Sequence, residues 1–161
     1  MYLTAKGRYA VTALLDLVLH EEKAPFALSE ISKRNHIPLP YLERLAGQLR
    51  AKGLLISIRG PGGGYILGQP PDKITIADIV LAIEEPIDTT KCGGKGNCAN
   101  GHVCLTHVLW DQLNYKIFEF LQNITLKSLS LWPEIQQIVQ LHQIQAHSMK
   151  TCNITTEIHP S

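Results

Sequence analysis

The thirty residues from Leu39 to Gly68, LPYLERLAGQLRAKGLLISIRGPGGGYILG, narrow the possible folds more than any other stretch of the chain. Leu42, Leu45, Ala46 and Leu49 recur at helical spacing, Pro40 stands where a first-turn proline is tolerated, and Gly53 supplies a stop. Two strand-like runs come next, broken by a glycine and proline turn, which predicts a β-hairpin. Just upstream, FALSEISKRNHIP predicts a helix of about two turns. Ser29 would cap it, Glu30 would lie in its first turn, Ile31 would face inward, and Asn35, His36 and Pro38 would end it. Two helices joined by a tight turn, the second with Tyr41, Glu43, Arg44, Gln48 and Arg50 on its outer face, have the pattern of a helix-turn-helix. The hairpin directly after it would be a wing.

The wing tip, RGPGGGY, is not a phosphate loop. A Walker loop needs Lys-Ser/Thr after its final glycine, where Tyr65 and Ile66 follow Gly64, and a dinucleotide fingerprint needs a glycine where Tyr65 stands. A wing explains Gly60, Pro61, Gly62, Gly63 and Gly64 better, because bare backbone can approach a DNA backbone closely while Arg59 reaches a narrow minor groove. A merely flexible hairpin tip is the plainer alternative.

Charge divides along the chain in the same sense. Net charge is only +1, but residues 1–73 hold ten Lys/Arg against six Asp/Glu, while residues 74–161 hold five against eight. A basic first half joined to an acidic second half suggests a polyanion-binding region attached to something with another task. With 161 residues and 45% hydrophobic content, the chain suits one domain with an appended element. Asp16 interrupts the apolar stretch after Lys6 and Arg8, no small-residue cleavage site follows, and no apolar run reaches about 20 residues. The expectation is a cytoplasmic protein without a membrane partner, whose four cysteines serve as thiols, metal ligands or redox groups rather than disulfides.

The remaining periodicity predicts a first helix over Thr4–His20, a linker helix in ITIADIVLAIEE ending at Pro86, and a long helix of about eighteen residues from Leu105 through Leu109, Leu113, Ile117, Phe120 and Ile124. Val108, Trp110, Phe118 and Leu121 lie outside that stripe, so the long helix must be buried on more than one side. This predicts a homodimer packed across a twofold axis, or else a monomer in which TLKSLSLW, 125–132, folds back as a cover. From Pro133 the sequence predicts a frayed helix and then disorder. The expected organisation is a winged helix-turn-helix domain over 1–73, a linker helix, ligand loop and dimerisation helix over 74–131, and a flexible tail over 132–161. The fold class is mainly α with a small β-hairpin.

One segment carries chemistry of its own. KCGGKGNCANGHVCLTH, residues 91–107, spaces Cys92, Cys98, Cys104 and His107 as C-x5-C-x5-C-x2-H. Structural zinc sites usually use short C-x2-4-C knuckles, which disfavours zinc without excluding it. Longer gaps occur in cytosolic loops that wrap a two-iron cluster, and the glycines at 93, 94, 96 and 101 permit tight turns around one. Three thiolates and a neutral imidazole around an oxidised 2Fe-2S core leave a complex of charge −1, which the N-terminus of the long helix would stabilise. Cys104 and His107, three apart, would project from one helical face, an advantage His102 lacks. Unliganded thiols in a surface loop are the plain alternative.

LTAKGRYAVTALLDL, RGPGGGYILG and the Cys92, Cys98, Cys104, His107 set running into CLTHVLWDQL together resemble the IscR family of bacterial iron-sulfur cluster regulators, within the wider group of winged-helix repressors. The resemblance covers residues 1 to about 130. It implies a homodimeric transcription factor carrying one 2Fe-2S cluster per subunit, supplied by the cluster assembly machinery, that controls cluster assembly genes through near-palindromic DNA operators. It also places Cys92, Cys98, Cys104 and His107 at the ligand positions, Tyr41, Glu43 and Arg44 at the outer start of the recognition helix, and Arg59 with Gly60 to Gly64 on the wing. Pro38 and Pro40 depart from the small hydroxyl residues common there, and Arg44 from a glutamine. A zinc-stabilised constitutive repressor, a redox or nitric-oxide responsive relative, and an electron-transfer or cluster-carrier protein are the competing readings.

Overall fold

A computed structural model describes residues 5–20, 25–83, 88–90 and 92–154, without the side chains of 145–154. Its helices are α1 (Ala5–Leu19), α2 (Leu28–Asn35), α3 (Leu39–Ala51), α4 (Ile76–Ile83), α5 (His107–Gln122), α6 (Leu126–Ser130) and α7 (Pro133–Ile154). The strands β1 (Leu55–Ile58) and β2 (Gly64–Leu67) pair antiparallel, Leu55 opposite Leu67 and Ile58 opposite Gly64. The architecture is mainly helical with a small hairpin, as the periodicity predicts.

The apolar stripes converge on α1, which touches α2, α3, α4, α6 and β2. Ala10 and Leu14 of α1, Ile31 of α2, Leu42 and Leu49 of α3, Ile79 of α4 and Leu126 of α6 are almost wholly removed from water in one continuous core. Burying side chains of this size contributes about 1.5–3 kcal/mol each, so α3 holds its place through its four inward residues. Asp16, which breaks the apolar pattern of α1, is itself buried at 6% exposure. It is compensated by a two-pronged ion pair from Arg34 of α2, while His20 lies one turn on with its Nδ1 at 3.5 Å. This pair locks the first two helices together.

Several expectations are corrected. Ser29 is not the cap of α2: the helix begins at Leu28 with Ala27 before it, and no side chain caps it. α5 is sixteen residues long and begins at His107, so Cys104 precedes it, and it stops before Ile124. The backbone of Ile124 is engaged elsewhere, accepting from the N–H of Ile76 at 2.9 Å while Leu126 donates to Ile74 at 2.9 Å. This small antiparallel clasp, centred on Thr75 and Thr125, joins the start of α4 to the start of α6. α6, closed by a Thr125–Ser128 capping box, packs on α1, so 125–132 is not a lid over α5. Within the single chain α5 packs against α4 and has no buried residue. Helix α7 continues regularly to Ile154, where fraying and disorder were expected. Cys152 lies on that stretch with its side chain undescribed, and the predicted end of the linker helix at Pro86 falls outside the described residues.

Candidate metal centre and nucleic-acid interface

The ligand loop leaves α4 and returns to the N-terminus of α5 as turns and bends. Gly93 (φ 63°) and Gly94 (φ 75°) are consecutive left-handed residues, a conformation that side chains with a Cβ resist. Their turn is fixed when the N–H of Gly94 donates to the Thr90 hydroxyl at 2.7 Å. Farther on, Ala99 and His102 exchange both backbone hydrogen bonds at 2.8 and 2.9 Å, which ties His102 into a local bridge. His102 therefore belongs to the loop's scaffold, and the imidazole that meets the thiols is that of His107.

Cys92, Cys98 and His107 bring their donor atoms within 4.8 Å of one another. The Nδ1 of His107 faces both sulfurs, at 3.5 Å from Cys92 Sγ and 3.8 Å from Cys98 Sγ. The structure thus picks out the ring nitrogen, which the sequence does not. Cys104 lies beside this triad rather than in it. Its N–H donates to Cys98 Sγ at 3.2 Å, its own thiol is 3.8 Å from the Thr106 hydroxyl, and its carbonyl accepts from the His107 N–H at 3.1 Å. Cys104 and His107 are therefore neighbours through a tight turn rather than through a helical face.

The thiols are electrostatically unequal. Desolvation works against ionising Cys92, yet hydrogen bonds from the backbone of Gly96 and Asn97 and from the Thr90 hydroxyl outweigh it and lower the thiol from 9.0 to about 6. Cys98 is raised, chiefly by hydrogen bonding with the thiol of Cys104, and the same contact is the main cause that lowers Cys104. At neutral pH Cys98 keeps its proton and shares it with more acidic neighbours. Thr90 was not singled out by the sequence; a threonine two residues before a cysteine carries no signal until the turn brings its hydroxyl back.

These residues suit a thiophilic metal. Half-buried sulfur and imidazole donors in a glycine-rich loop can hold zinc, iron or a two-iron cluster. A triad this compact supplies three of the four donors of a single tetrahedral ion, and a two-iron core requires Cys104 to turn its sulfur inward.

Glu43, Arg44 and Gln48 are exposed along α3, and Tyr41 is half-buried at its start, its ring edge-on to Tyr9 at 5.6 Å. Arg59, Gly60, Pro61 and Gly62 are exposed at the wing tip. The other two wing glycines have reasons internal to the fold. A Cβ on Gly63 would lie 2.3 Å from the Ile58 carbonyl oxygen, and one on Gly64 would lie 2.4 Å from that of Phe26. Phe26 and Tyr65 exchange backbone hydrogen bonds of 3.0 and 2.8 Å, an isolated antiparallel bridge that ties the segment before α2 to the hairpin. Thus the expected DNA contacts divide into an exposed set and a set that shapes the wing.

Among the described residues no helix is long and apolar enough to cross a membrane. The family model of Rrf2, described as an iron-dependent transcriptional regulator, matches residues 3–130. The chain is 52% identical over 139 residues to the HTH-type transcriptional regulator IscR of Sodalis glossinidius, covering 86% of this chain and 84% of that protein. With IscR of Vibrio campbellii it shares 47% identity over 158 residues, 96% of this chain and 94% of the relative. Among solved structures, T. potens IscR superposes with a TM-score of 0.66 at 32% identity, over 80% of this chain and 85% of that one. CymR, the global cysteine regulator of B. subtilis, superposes with a TM-score of 0.71 at 33% identity, over 81% and 96%. These relatives are transcriptional regulators rather than enzymes. A helix-turn-helix with its wing, followed by a cysteine loop and an exposed helix, here falls within a match spanning most of the chain: this protein belongs to the Rrf2 family of DNA-binding transcriptional regulators.

Proposed function

We propose that this protein senses iron-sulfur cluster status as a homodimer, using a 2Fe-2S cluster held by Cys92, Cys98, Cys104 and His107 to control cluster assembly genes. The observation that carries the reading is the imidazole Nδ1 of His107 set against two sulfurs at 3.5 and 3.8 Å in a loop of left-handed glycines. When bound, the cluster supplies a labile, redox-active group whose histidine ligand protons can compete for. The chain's own contribution is mechanical. Cys104 and His107 adjoin the start of α5, so closing the loop fixes the first turn of that helix.

The dimer reading rests on α5. Val108, Leu109, Trp110, Phe118 and Phe120 are exposed on it, and an apolar groove of about 300 Å³ lies between α4 and α5, lined by Val80, Leu81, Ile117, Phe118 and Leu121. A second copy of α5 is the partner such a groove suits, and it sets two copies of α3 across a twofold axis. Recognition helices about 34–36 Å apart would meet successive major grooves of a near-palindromic operator. Tyr41, Glu43, Arg44 and Gln48 read bases, while Arg59 and Gly60 to Gly64 follow the backbone and minor groove. Cluster delivery comes from the assembly machinery, in the cytoplasm where thiols stay reduced.

A zinc-stabilised constitutive repressor is the second reading, favoured by the compactness of the Cys92, Cys98, His107 triad. Anaerobically purified protein separates the two. Brown protein with iron and sulfide, losing its visible absorption in Cys92→Ala and changing its operator affinity when the cluster is removed, is the expected result. Colourless protein with stoichiometric zinc and cluster-independent DNA binding refutes the sensor.

A further inference from the structure

The incoming arm of the ligand loop, Asp88 to Thr90, is fastened to α5 at a point far from the ligands. Asn114 lies seven residues beyond His107, two turns or about 10 Å along the helix. Its Oδ1 accepts from the Thr89 N–H at 2.8 Å and from the Thr89 hydroxyl at 2.8 Å. Its Nδ2 donates to Asp88 Oδ1 at 3.1 Å. The same Thr89 hydroxyl lies 3.0 Å from the Trp110 carbonyl oxygen, one turn nearer His107. Both ends of the side-chain amide are thus used, each with the partner its chemistry requires. From this anchor the order passes along the chain. Asp88 Oδ1 accepts from the Thr90 N–H at 2.7 Å and its hydroxyl at 2.6 Å, and that hydroxyl oxygen accepts from Gly94 at 2.7 Å, two residues beyond Cys92.

We propose that Asn114 is a positioning residue, the catch of a latch made with Asp88, Thr89 and Thr90 that holds the incoming arm along α5 and so sets how readily the loop opens and surrenders its metal. The inference rests on the metal-binding reading above and adds a residue outside the ligand set. Its physical basis is preorganisation. An arm already laid against two turns of α5 leaves only a few residues to be ordered when Cys92 closes on His107, so less conformational entropy is lost on binding and the open state is rarer. The latch groups are exposed or half-buried, so water replaces the lost hydrogen bonds and the fold stays intact without them.

The test uses the full chain, loaded with Co(II) or left metal-free. In Asn114→Ala the thiolate-to-Co(II) absorption is expected to bleach about tenfold faster under excess chelator, the scale typical of losing a group that orients metal ligands. In metal-free protein, trypsin should cut after the exposed Lys95 several-fold faster, because cleavage follows the population of the open loop. Thr89→Val should behave like Asn114→Ala, while Thr89→Ser, which keeps the hydroxyl, should match the wild type in both rates. Rates within twofold of wild type for Asn114→Ala and Thr89→Val overturn the latch. If wild-type protein gives no thiolate-to-Co(II) band but the variants are still cut faster, the latch stands and the ligand reading falls.

Discussion

Cys92 should be the most acid-tolerant nucleophile of the loop. Removing metal exposes a thiol whose ionisation is lowered from 9.0 to about 6 by bonds from Gly96, Asn97 and Thr90 that win against desolvation. The sign follows directly: a lowered value means that thiolate, the reactive form, persists to lower pH. At pH 6 about half of Cys92 is thiolate, against about one molecule in a thousand for a thiol at 9.0, a ratio of about 500. Nucleophilicity falls with basicity at a Brønsted slope of about 0.4–0.5, so three pKa units cost about 15–30-fold. The net advantage at pH 6 is therefore about 15–30-fold, shrinking to about 3–6-fold at pH 7 as the ordinary thiol begins to ionise. Alkylating metal-free protein with iodoacetamide between pH 5 and 9, with peptide mass mapping, reads this directly. Cys92 should rise through a midpoint near 6 and then level off, Cys98 should lag behind it at pH 7 and below, and Thr90→Val should move the Cys92 midpoint upward. A Cys92 midpoint at or above 8 refutes the hydrogen-bond account, and an unmoved midpoint in Thr90→Val removes that hydroxyl from it.

Gly64→Ala should destabilise the protein by about 2–4 kcal/mol in a denaturant melt, because a Cβ 2.4 Å from the Phe26 carbonyl must break a pair of backbone hydrogen bonds around a buried phenylalanine. A loss under 1 kcal/mol would show that the two segments separate freely. Asp16→Ala should cost about 2–3 kcal/mol, below the loss for a fully buried pair because the Arg34 side chain is 30% exposed and rehydrates; a neutral effect in thermal unfolding counts against the α1–α2 lock. Glu43→Ala should compress the spread of affinities across operator variants by about tenfold, since an exposed carboxylate on α3 can accept from cytosine N4 and repel phosphate; unchanged relative affinities in a binding competition would exclude it.

Helices α1 to α4 and the hairpin were legible because each buries one face against a common core. Leu42, Leu45, Ala46 and Leu49 are predicted inward by spacing and are buried. The same logic misled at α5, where apolar spacing runs through Leu105 and Ile124 although the helix includes neither. Periodicity reports what a helix offers for burial, not what covers it or where a turn such as Cys104–His107 interrupts it. The grouping of Cys92, Cys98 and His107 was legible through spacing, and the ring nitrogen that faces the two sulfurs was not. Nor could the letters GGG reveal that two of those glycines answer to Ile58 and Phe26, because Phe26 lies 38 positions before Gly64. Asp16 read as an interruption of the first helix, since its partner Arg34 is on another element.

The clasp between Thr75 and Thr125 has a consequence for how change in one half of the molecule reaches the other. Chain that enters α4 at Ile76 and runs on through the ligand loop and α5 returns at Ile124 beside the point where it set out, with both neighbouring backbone bonds at 2.9 Å. Loop and α5 thus form an excursion whose base is sewn shut. Their melting or tightening alters no distance between the ends presented to the core, and the entropy of closing that circuit is borne by the clasp rather than by the loop. Hydrogen exchange should then find two cooperative units on this chain, with α5 opening well below the free energy that opens α1.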